Sequence, residues 1–298
     1  MAAASAGAVP AGVPFLSLDP DAEGLLRKHA GISTFLFPTG QTLGEYLRSR
    51  EYEKAQKFPS GYSGSAYKIV VGPKEYVLKH ITNPKAFKNI PREIEMLTIV
   101  KGYPFAVQLL AAQFNPDGSA YMLFPYIPGQ SLFDYINDLL DKKSTLTEEE
   151  KLEAKEVIKK VIYVLKALHD LGIIHRDIKP GNIWIPANKM KDPILLDFGL
   201  SGTTSEVLGF GGTMNYVRPG RNKFKRNPTP NDNYYAVKKI IEHIPHVFST
   251  DEEYFDVIWS LGQEGITNEE AEEVIKMFGG RRTRHRRRKH RTKTLRRR

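Results

Sequence analysis

The chain has 298 residues, 41% of them apolar and 10% aromatic, which is enough to build one large two-lobed domain or two modest ones and excludes a wholly disordered chain. No apolar run approaches the ~18–20 residues of a membrane-spanning helix, and the absence of cysteine excludes disulfides, Cys-ligated zinc and iron–sulfur clusters. The formal net charge of +10 is unevenly placed: residues 279–298 hold twelve Lys and Arg and no acid, so the other 278 carry 32 basic against 34 acidic side chains, a net of −2.

Residues 1–14 are uncharged and rich in Ala, Gly and Pro, the composition of a flexible leader. A signal peptide is not expected there, because no basic stretch precedes and Gly and Pro interrupt the apolar run. Residues 15–50 form an extension of mixed composition, with a helix expected around Leu43–Lys54. Short β-like runs separated by turn signals follow at Ala66–Val71, Glu75–Ile81, Val107–Phe114 and Tyr121–Phe124. A helical segment at Pro91–Val100 interrupts them. After Pro128 the pattern turns helical, most clearly at Glu148–Leu171. There Thr147 and Glu150 have the spacing of a capping box, and Ile158, Val161, Ile162, Leu165 and Leu168 recur on one apolar face. Strands first and helices second imply an α+β fold with segregated lobes: residues 51–127 form the β-rich one and 128–278 a mostly helical one.

Two motifs carry chemistry. His175-Arg176-Asp177-Ile178-Lys179-Pro180-Gly181-Asn182 is followed, fifteen residues after Asn182, by Asp197-Phe198-Gly199. In each, a carboxylate ends or follows an apolar run, where a strand-edge loop would turn it outward. Phosphoryl transfer needs such equipment: one carboxylate to orient or deprotonate a hydroxyl, and a carboxylate with an amide oxygen to hold Mg²⁺.

In order and spacing these motifs resemble the eukaryotic-type protein kinases, and the likeness covers roughly Pro59 to Asp232. The resemblance implies a bilobal fold with a shortened helical lobe, an ATP-dependent reaction with Mg²⁺ (or Mn²⁺) and a protein substrate bearing Ser or Thr. Asp177 is then the catalytic base, Asn182 and Asp197 the metal ligands, and Lys179 the lysine that serine/threonine kinases place near the transferred group. Upstream, Pro59–Lys68 resembles the phosphate-covering loop, with Gly61 and Gly64 at two of its glycines. Pro59 stands where the first glycine belongs, and Ala66 stands where valine usually packs on adenine. Lys79 follows Gly64 by fifteen residues, as does the family's strand lysine, and its expected ion-pair partner is Glu93. Ala120–Ile127 resembles the last strand and the interlobe hinge, with Phe124 at the back of the pocket. Pro125 replaces an acidic residue but keeps the carbonyl acceptor for adenine, and the N–H of Ile127 supplies the donor.

Gly212–Gly220 resembles the end of the activation segment, with Thr213 expected to contact Asp177 and Lys179. Gly220 replaces an anchoring glutamate, and 58 residues (221–278) stand where the family has a longer helical subdomain. Asp232 is the expected helix aspartate that holds the catalytic loop's backbone, and Asp256 a decoy too far downstream. Arg176 before the base points to an activation segment ordered by phosphate on Thr203, Thr204 or Ser205, or equally to one ordered without it.

The Arg/Lys/His run at 281–298 is expected to be disordered when free and to bind nucleic acid or another polyanion without sequence preference, since it has no aromatic residue to stack. A nuclear-import signal, an anionic-membrane anchor and a solubilising tail are the competing readings. Gly279-Gly280 followed by such a tail also resembles proteins of large DNA viruses, which implies a compartment such as the nucleus, a viral factory or the virion. Two rival functions stay open: a small-molecule kinase, and a non-enzymatic scaffold tethered to nucleic acid.

Overall fold

A computed structural model describes residues 35–58, 64–115, 118–188, 192–209, 211–219 and 227–278. The leader 1–14, the start of the extension, Gly61, Gly220 and the basic run 281–298 lie outside the described residues. The chain divides into two compact units, Met1–Thr98 with Gln108–Tyr126, and Ile99–Val107 with Ile127–Arg298.

The first unit is built on an antiparallel sheet of β1 (Gln56–Lys57), β2 (Gly64–Val71), β3 (Lys74–Ile81), β4 (Ala111–Phe114) and β5 (Ala120–Pro125), in the order β1-β2-β3-β5-β4. Among the described residues its helices are α1 (Leu43–Ser49), the single turn α2 (Pro84–Phe87) and α3 (Ile90–Ile99). The extension, for which the sequence offers no role, supplies part of the core. Phe37, Leu43, Tyr46 and Leu47 of the extension, with Tyr52 just after it, pack with Ile69, Tyr76, Leu78 and Leu123 of the sheet in one apolar cluster. Each such side chain contributes about 1.5–3 kcal/mol when fully buried. The Tyr52 and Tyr121 hydroxyls meet at 2.8 Å inside it.

Two expected elements are shorter than their patterns. The helix at 43–54 stops at Ser49, because Arg50 takes a left-handed backbone (φ 57) and a 3₁₀ turn follows at Glu51–Lys54; no glycine marks that stop. The strand at 107–114 pairs only from Ala111. Val107 instead donates its N–H to Leu195 O, with Ala106 bridged to the same residue, so residues 99–107 join the second unit.

The described residues of the second unit hold two small sheets. β6 (Gly129–Ser131), β8 (Ile183–Pro186) and β9 (Ile194–Leu195) form one, and β7 (Ile173–Ile174) pairs with β10 (Gly202–Thr203) in the other. Its helices are α4 (Leu132–Asp141), α5 (Glu148–Asp170), α6 (Pro230–Ile241), α7 (Asp251–Leu261) and α8 (Asn268–Met277). The Thr147–Glu150 capping box opens α5, a contribution of about 1 kcal/mol. Ala154, Ile158, Val161, Ile162, Leu165 and Leu168 form its buried face. Lys155 of α5 and Glu253 of α7 make a buried ion pair at 2.9 Å, with Ser249 as a further acceptor. No helix among the described residues is long and apolar enough to cross a membrane.

Candidate active site

In the first unit the strand register places Lys79 of β3 opposite Ala66 of β2 and Met122 of β5. Its ammonium reaches Glu93 of α3 at 3.0 and 3.3 Å. Glu93 is only 4% exposed, and a carboxylate that buried must be paired to remain charged. The pair thereby fixes where the lysine points. Gly64 begins β2 with φ 150, and a Cβ there would lie 2.0 Å from the His80 carbonyl oxygen of β3, so only glycine fits. Pro125 ends β5 opposite Tyr76, and Phe124 before it is buried. Ile127 belongs to the second unit, where its carbonyl accepts the Trp184 indole N–H at 3.1 Å. That bond was not foreseen from the sequence.

The second unit brings Asp177, Lys179 and Asn182, on the loop after β7, together with Thr213 of the segment after β10. Thr213 donates its backbone N–H and its hydroxyl to Asp177 Oδ1, at 2.8 and 2.7 Å. Lys179 Nζ lies 2.9 Å from Asp177 Oδ2 and 3.1 Å from the Thr213 hydroxyl. Asn182 Nδ2 donates to Asp177 Oδ2 at 3.0 Å and to the Asp177 carbonyl at 2.9 Å. Burial alone would raise the carboxyl's pKa, but Lys179 and the Thr213 hydrogen bonds outweigh it and hold Asp177 below the usual carboxylate range. The result is an ionised carboxylate of fixed orientation, suited to orienting or accepting a hydroxyl proton.

His175 supports this loop from beneath. The ring is fully buried, packs 5.0 Å from the Phe198 ring, lies 2.9 Å from the Leu196 carbonyl through Nε2, and accepts the Asp177 N–H through Nδ1 at 3.3 Å. Burial pushes its pKa down, in keeping with a neutral ring that donates from Nε2 and accepts at Nδ1.

Asn182 and Asp197 suit a hard divalent cation. Leu196 donates its N–H to the Asn182 carbonyl at 2.9 Å, which sets Asp197 in the position following that contact, with a left-handed backbone (φ 58). Asn182 commits its amide nitrogen to Asp177, leaving an amide oxygen and a carboxylate as the donor set. Among the described residues no cluster of three or more His, Cys, Asp or Glu could cage a metal alone. Two oxygen ligands fit Mg²⁺, which keeps waters and takes the remainder from phosphates.

The loop's anchor differs from expectation. The Arg176 N–H donates to Asn233 Oδ1 at 3.0 Å, so the bond expected of Asp232 is made by its neighbour. Asp232 instead caps its own helix, accepting the Thr229 N–H at 2.9 Å. Thr229 followed by Pro230 and, three residues on, Asp232 is a helix-start pattern, and that signal could have separated the two roles. Asp256 is exposed on α7.

The activation segment is held by contacts the sequence did not announce. Arg176 donates to the Leu200 carbonyl at 3.0 Å and to the Gly209 carbonyl. The Thr203 N–H donates to the Glu206 carboxylate at 2.7 Å, while the Thr203 and Ser205 hydroxyls meet at 3.0 Å. Arg218 donates to the Gly262 carbonyl beyond α7 at 2.7 Å and stacks 4.7 Å from the Tyr235 ring centre.

Residues 52–240 match the protein kinase domain family. The chain belongs to that family. Its sheet-rich N-lobe and helical C-lobe are those of a protein kinase domain. Among its relatives are CBL-interacting serine/threonine-protein kinase 3 of Arabidopsis thaliana, 29% identical over 191 residues (61% of this chain, 38% of the relative), and a negative regulator of sexual conjugation and meiosis from Schizosaccharomyces pombe, 28% identical over 231 residues (75% and 46%). Probable serine/threonine-protein kinase 2 of Plasmodium falciparum is 31% identical over 158 residues (52% and 28%). This protein kinase domain chain thus spans less than half the length of each of these relatives.

Proposed function

We propose that this protein is an ATP- and Mg²⁺-dependent protein serine/threonine kinase. The observation that carries the reading is the Asp177 carboxylate, charged and held at once by Thr213, Lys179 and Asn182. A substrate Ser or Thr hydroxyl attacks the γ-phosphorus of ATP in line, its proton passes to Asp177, and the bond from the γ-phosphorus to the bridging oxygen breaks to release ADP. Lys79, aimed by Glu93, binds the α- and β-phosphates, and Lys179 offsets charge on the transferred group. Asn182 and Asp197 hold the cation, which neutralises phosphate charge when bound. The Pro125 carbonyl and Ile127 N–H are assigned to adenine, and Gly61, Gly64 and Ala66 to the loop and strand over the nucleotide. The serine/threonine wording in the names of the relatives supports the choice of hydroxyl.

The run 281–298 gives this kinase an anionic partner, nucleic acid or another polyanion, and a compartment where one is abundant: nucleus, viral factory or virion. Its charge density supports the reading. Transfer of radiolabel from ATP to a peptide library and to a metabolite panel, with the full chain and with a variant lacking 279–298, tests both parts. Peptide labelling that polyanions stimulate only in the full chain is expected. Labelling of metabolites alone would replace the reading with the small-molecule alternative, and no labelling at all would favour the scaffold.

A further inference from the structure

A chain of hydrogen bonds, buried at its centre, runs from the catalytic loop to α8, which lies beyond the region matched to the family. The Arg176 N–H donates to Asn233 Oδ1 at 3.0 Å. Asn233 Nδ2 faces His169 Nε2 at 2.9 Å, and His169 Nδ1 faces Asn268 Oδ1 at 3.0 Å. The same oxygen accepts the Tyr234 hydroxyl at 2.7 Å, and Asn268 Nδ2 donates to Asp170 at 3.0 Å. Asn233 and Tyr234 are fully buried and His169 is 7% exposed.

Hydrogen-bond logic assigns every proton in this chain. A backbone N–H can only donate, so Asn233 turns its oxygen to Arg176 and its nitrogen to His169. His169 Nε2 must then be a lone pair, and the neutral ring carries its proton on Nδ1. That proton goes to Asn268, whose oxygen faces two donors while its nitrogen meets the Asp170 carboxylate. One arrangement satisfies all members.

We infer that this neutral relay makes Asn268, at the start of α8, a positioning residue for the catalytic loop, acting through His169 and Asn233 on Arg176. The inference rests on the kinase reading above. Arg176 holds a left-handed backbone (φ 68) immediately before Asp177, a conformation that a non-glycine residue keeps only when its surroundings impose it. The Asn233 bond is one such restraint, and it is oriented by the ring behind it. A protonated His169 would turn an N–H toward the Asn233 amide nitrogen, donor against donor. Burial prevents this by pushing the imidazole pKa down to about 4, against the Asn268 hydrogen bond and the pull of Asp170 on α5 and Asp232 on α6. Tyr234 on α6, near Glu269 and Glu272 of α8, has its pKa raised by burial and remains a donor.

The test uses the full chain with dephosphorylated casein and radiolabelled ATP. Asn268→Leu is expected to lower kcat about tenfold with KM for ATP unchanged, the scale of a displaced catalytic group, at a temperature where circular dichroism shows it folded. Unchanged kcat with only a lower Tm would overturn the inference. Nitrogen-15 imidazole spectra give a readout independent of turnover: His169 is expected neutral and protonated on Nδ1 from pH 6 to 8, and the other tautomer or a charged ring would overturn it. Asn233→Asp keeps the acceptor for Arg176 but removes the donor to His169, so the His169 titration should move up by more than tenfold in proton affinity. An unmoved titration contradicts the relay. Wild-type chain unable to label casein or any peptide would remove the kinase reading and the positioning role with it, whereas normal wild-type turnover with unaltered Asn268→Leu kcat removes the relay alone.

Discussion

Thr213 meets Asp177 twice, through its backbone N–H and its hydroxyl, and both hydrogen bonds end on the same carboxylate oxygen. The activation segment and the catalytic loop are therefore locked at the residue assigned to receive the proton. Thr213→Val keeps the N–H and the shape but removes the hydroxyl. A hydrogen bond to a charged group contributes about 1.5–3 kcal/mol, so kcat should fall about tenfold to a hundredfold while KM for ATP stays within about twofold. Steady-state kinetics on one peptide substrate decide this, and an unchanged kcat would mean that the N–H alone orients the carboxylate.

Arg218 ties the end of the segment to the carbonyls of Gly262 and Gln263, past the C-terminus of α7, and to the Tyr235 ring. The carbonyl end of a helix attracts a cation, and the ring adds a further attraction. Arg218→Ala is expected to raise KM for peptide about fivefold, since the anchor contributes about 1 kcal/mol, and to leave KM for ATP unchanged. Equal losses toward both substrates would show that Arg218 supports the whole lobe rather than the segment's end.

The guanidinium of Arg176, which a phosphate could otherwise engage, already donates to the carbonyls of Leu200 and Gly209. A phosphate on Thr203 would also lie beside the Glu206 carboxylate that takes the Thr203 N–H, a like-charge contact that disfavours it. The triple variant Thr203→Ala, Thr204→Ala, Ser205→Ala should therefore keep at least about half of wild-type turnover, because the backbone contacts that order the segment remain. A loss of tenfold or more, with phosphate found on one of the three in active protein, would establish phosphate-dependent ordering instead.

His169 also makes stability depend on pH. Its folded pKa of about 4 lies below the ordinary 6.5, so between those values the unfolded chain binds a proton that the folded chain does not. Stability from this group is complete above about pH 6.5, declines as pH falls by up to about 1.4 kcal/mol per pH unit, and levels off near pH 4 after a loss of about 3 kcal/mol. Urea unfolding at pH 7.5, 6.0 and 5.0 should show this slope in the wild-type chain and a shallower one in His169→Gln. Parallel slopes would mean that the ring is charged in the folded state.

The sequence made the candidate site legible because the residue types and spacing that phosphoryl transfer needs are restricted. Asp177, Asn182 and Asp197 could be placed from two short motifs, and the strand lysine from its distance to Gly64. The paired β-runs and the capped apolar face of α5 were legible for a similar reason, since a period of 2 or 3.6 is imposed by local geometry. What escaped is tertiary. Nothing local says that the Arg50 backbone turns left-handed, or that Val107 pairs with Leu195 instead of extending β4. Asn233 was hidden by an aspartate beside it, because a charged residue is the more familiar anchor and the burial of an amide is not written in its neighbours. The extension from residue 35 was legible as a helix but not as core, because its partners, Ile69, Tyr76 and Leu123, lie far along the chain.

The proposed function assigns phosphate transfer to Asp177 and Asp197, one at the hydroxyl and the other at the metal. The direct measurement is initial-rate transfer of the γ-phosphoryl group from radiolabelled ATP to a Ser/Thr peptide, for the wild-type chain and for purified Asp177→Asn and Asp197→Asn with folding verified. Both variants should fall by at least about a thousandfold, the scale lost when a catalytic group is removed, while Asp177→Asn still binds ATP. Wild-type turnover in either variant would overturn the role assigned to that carboxylate.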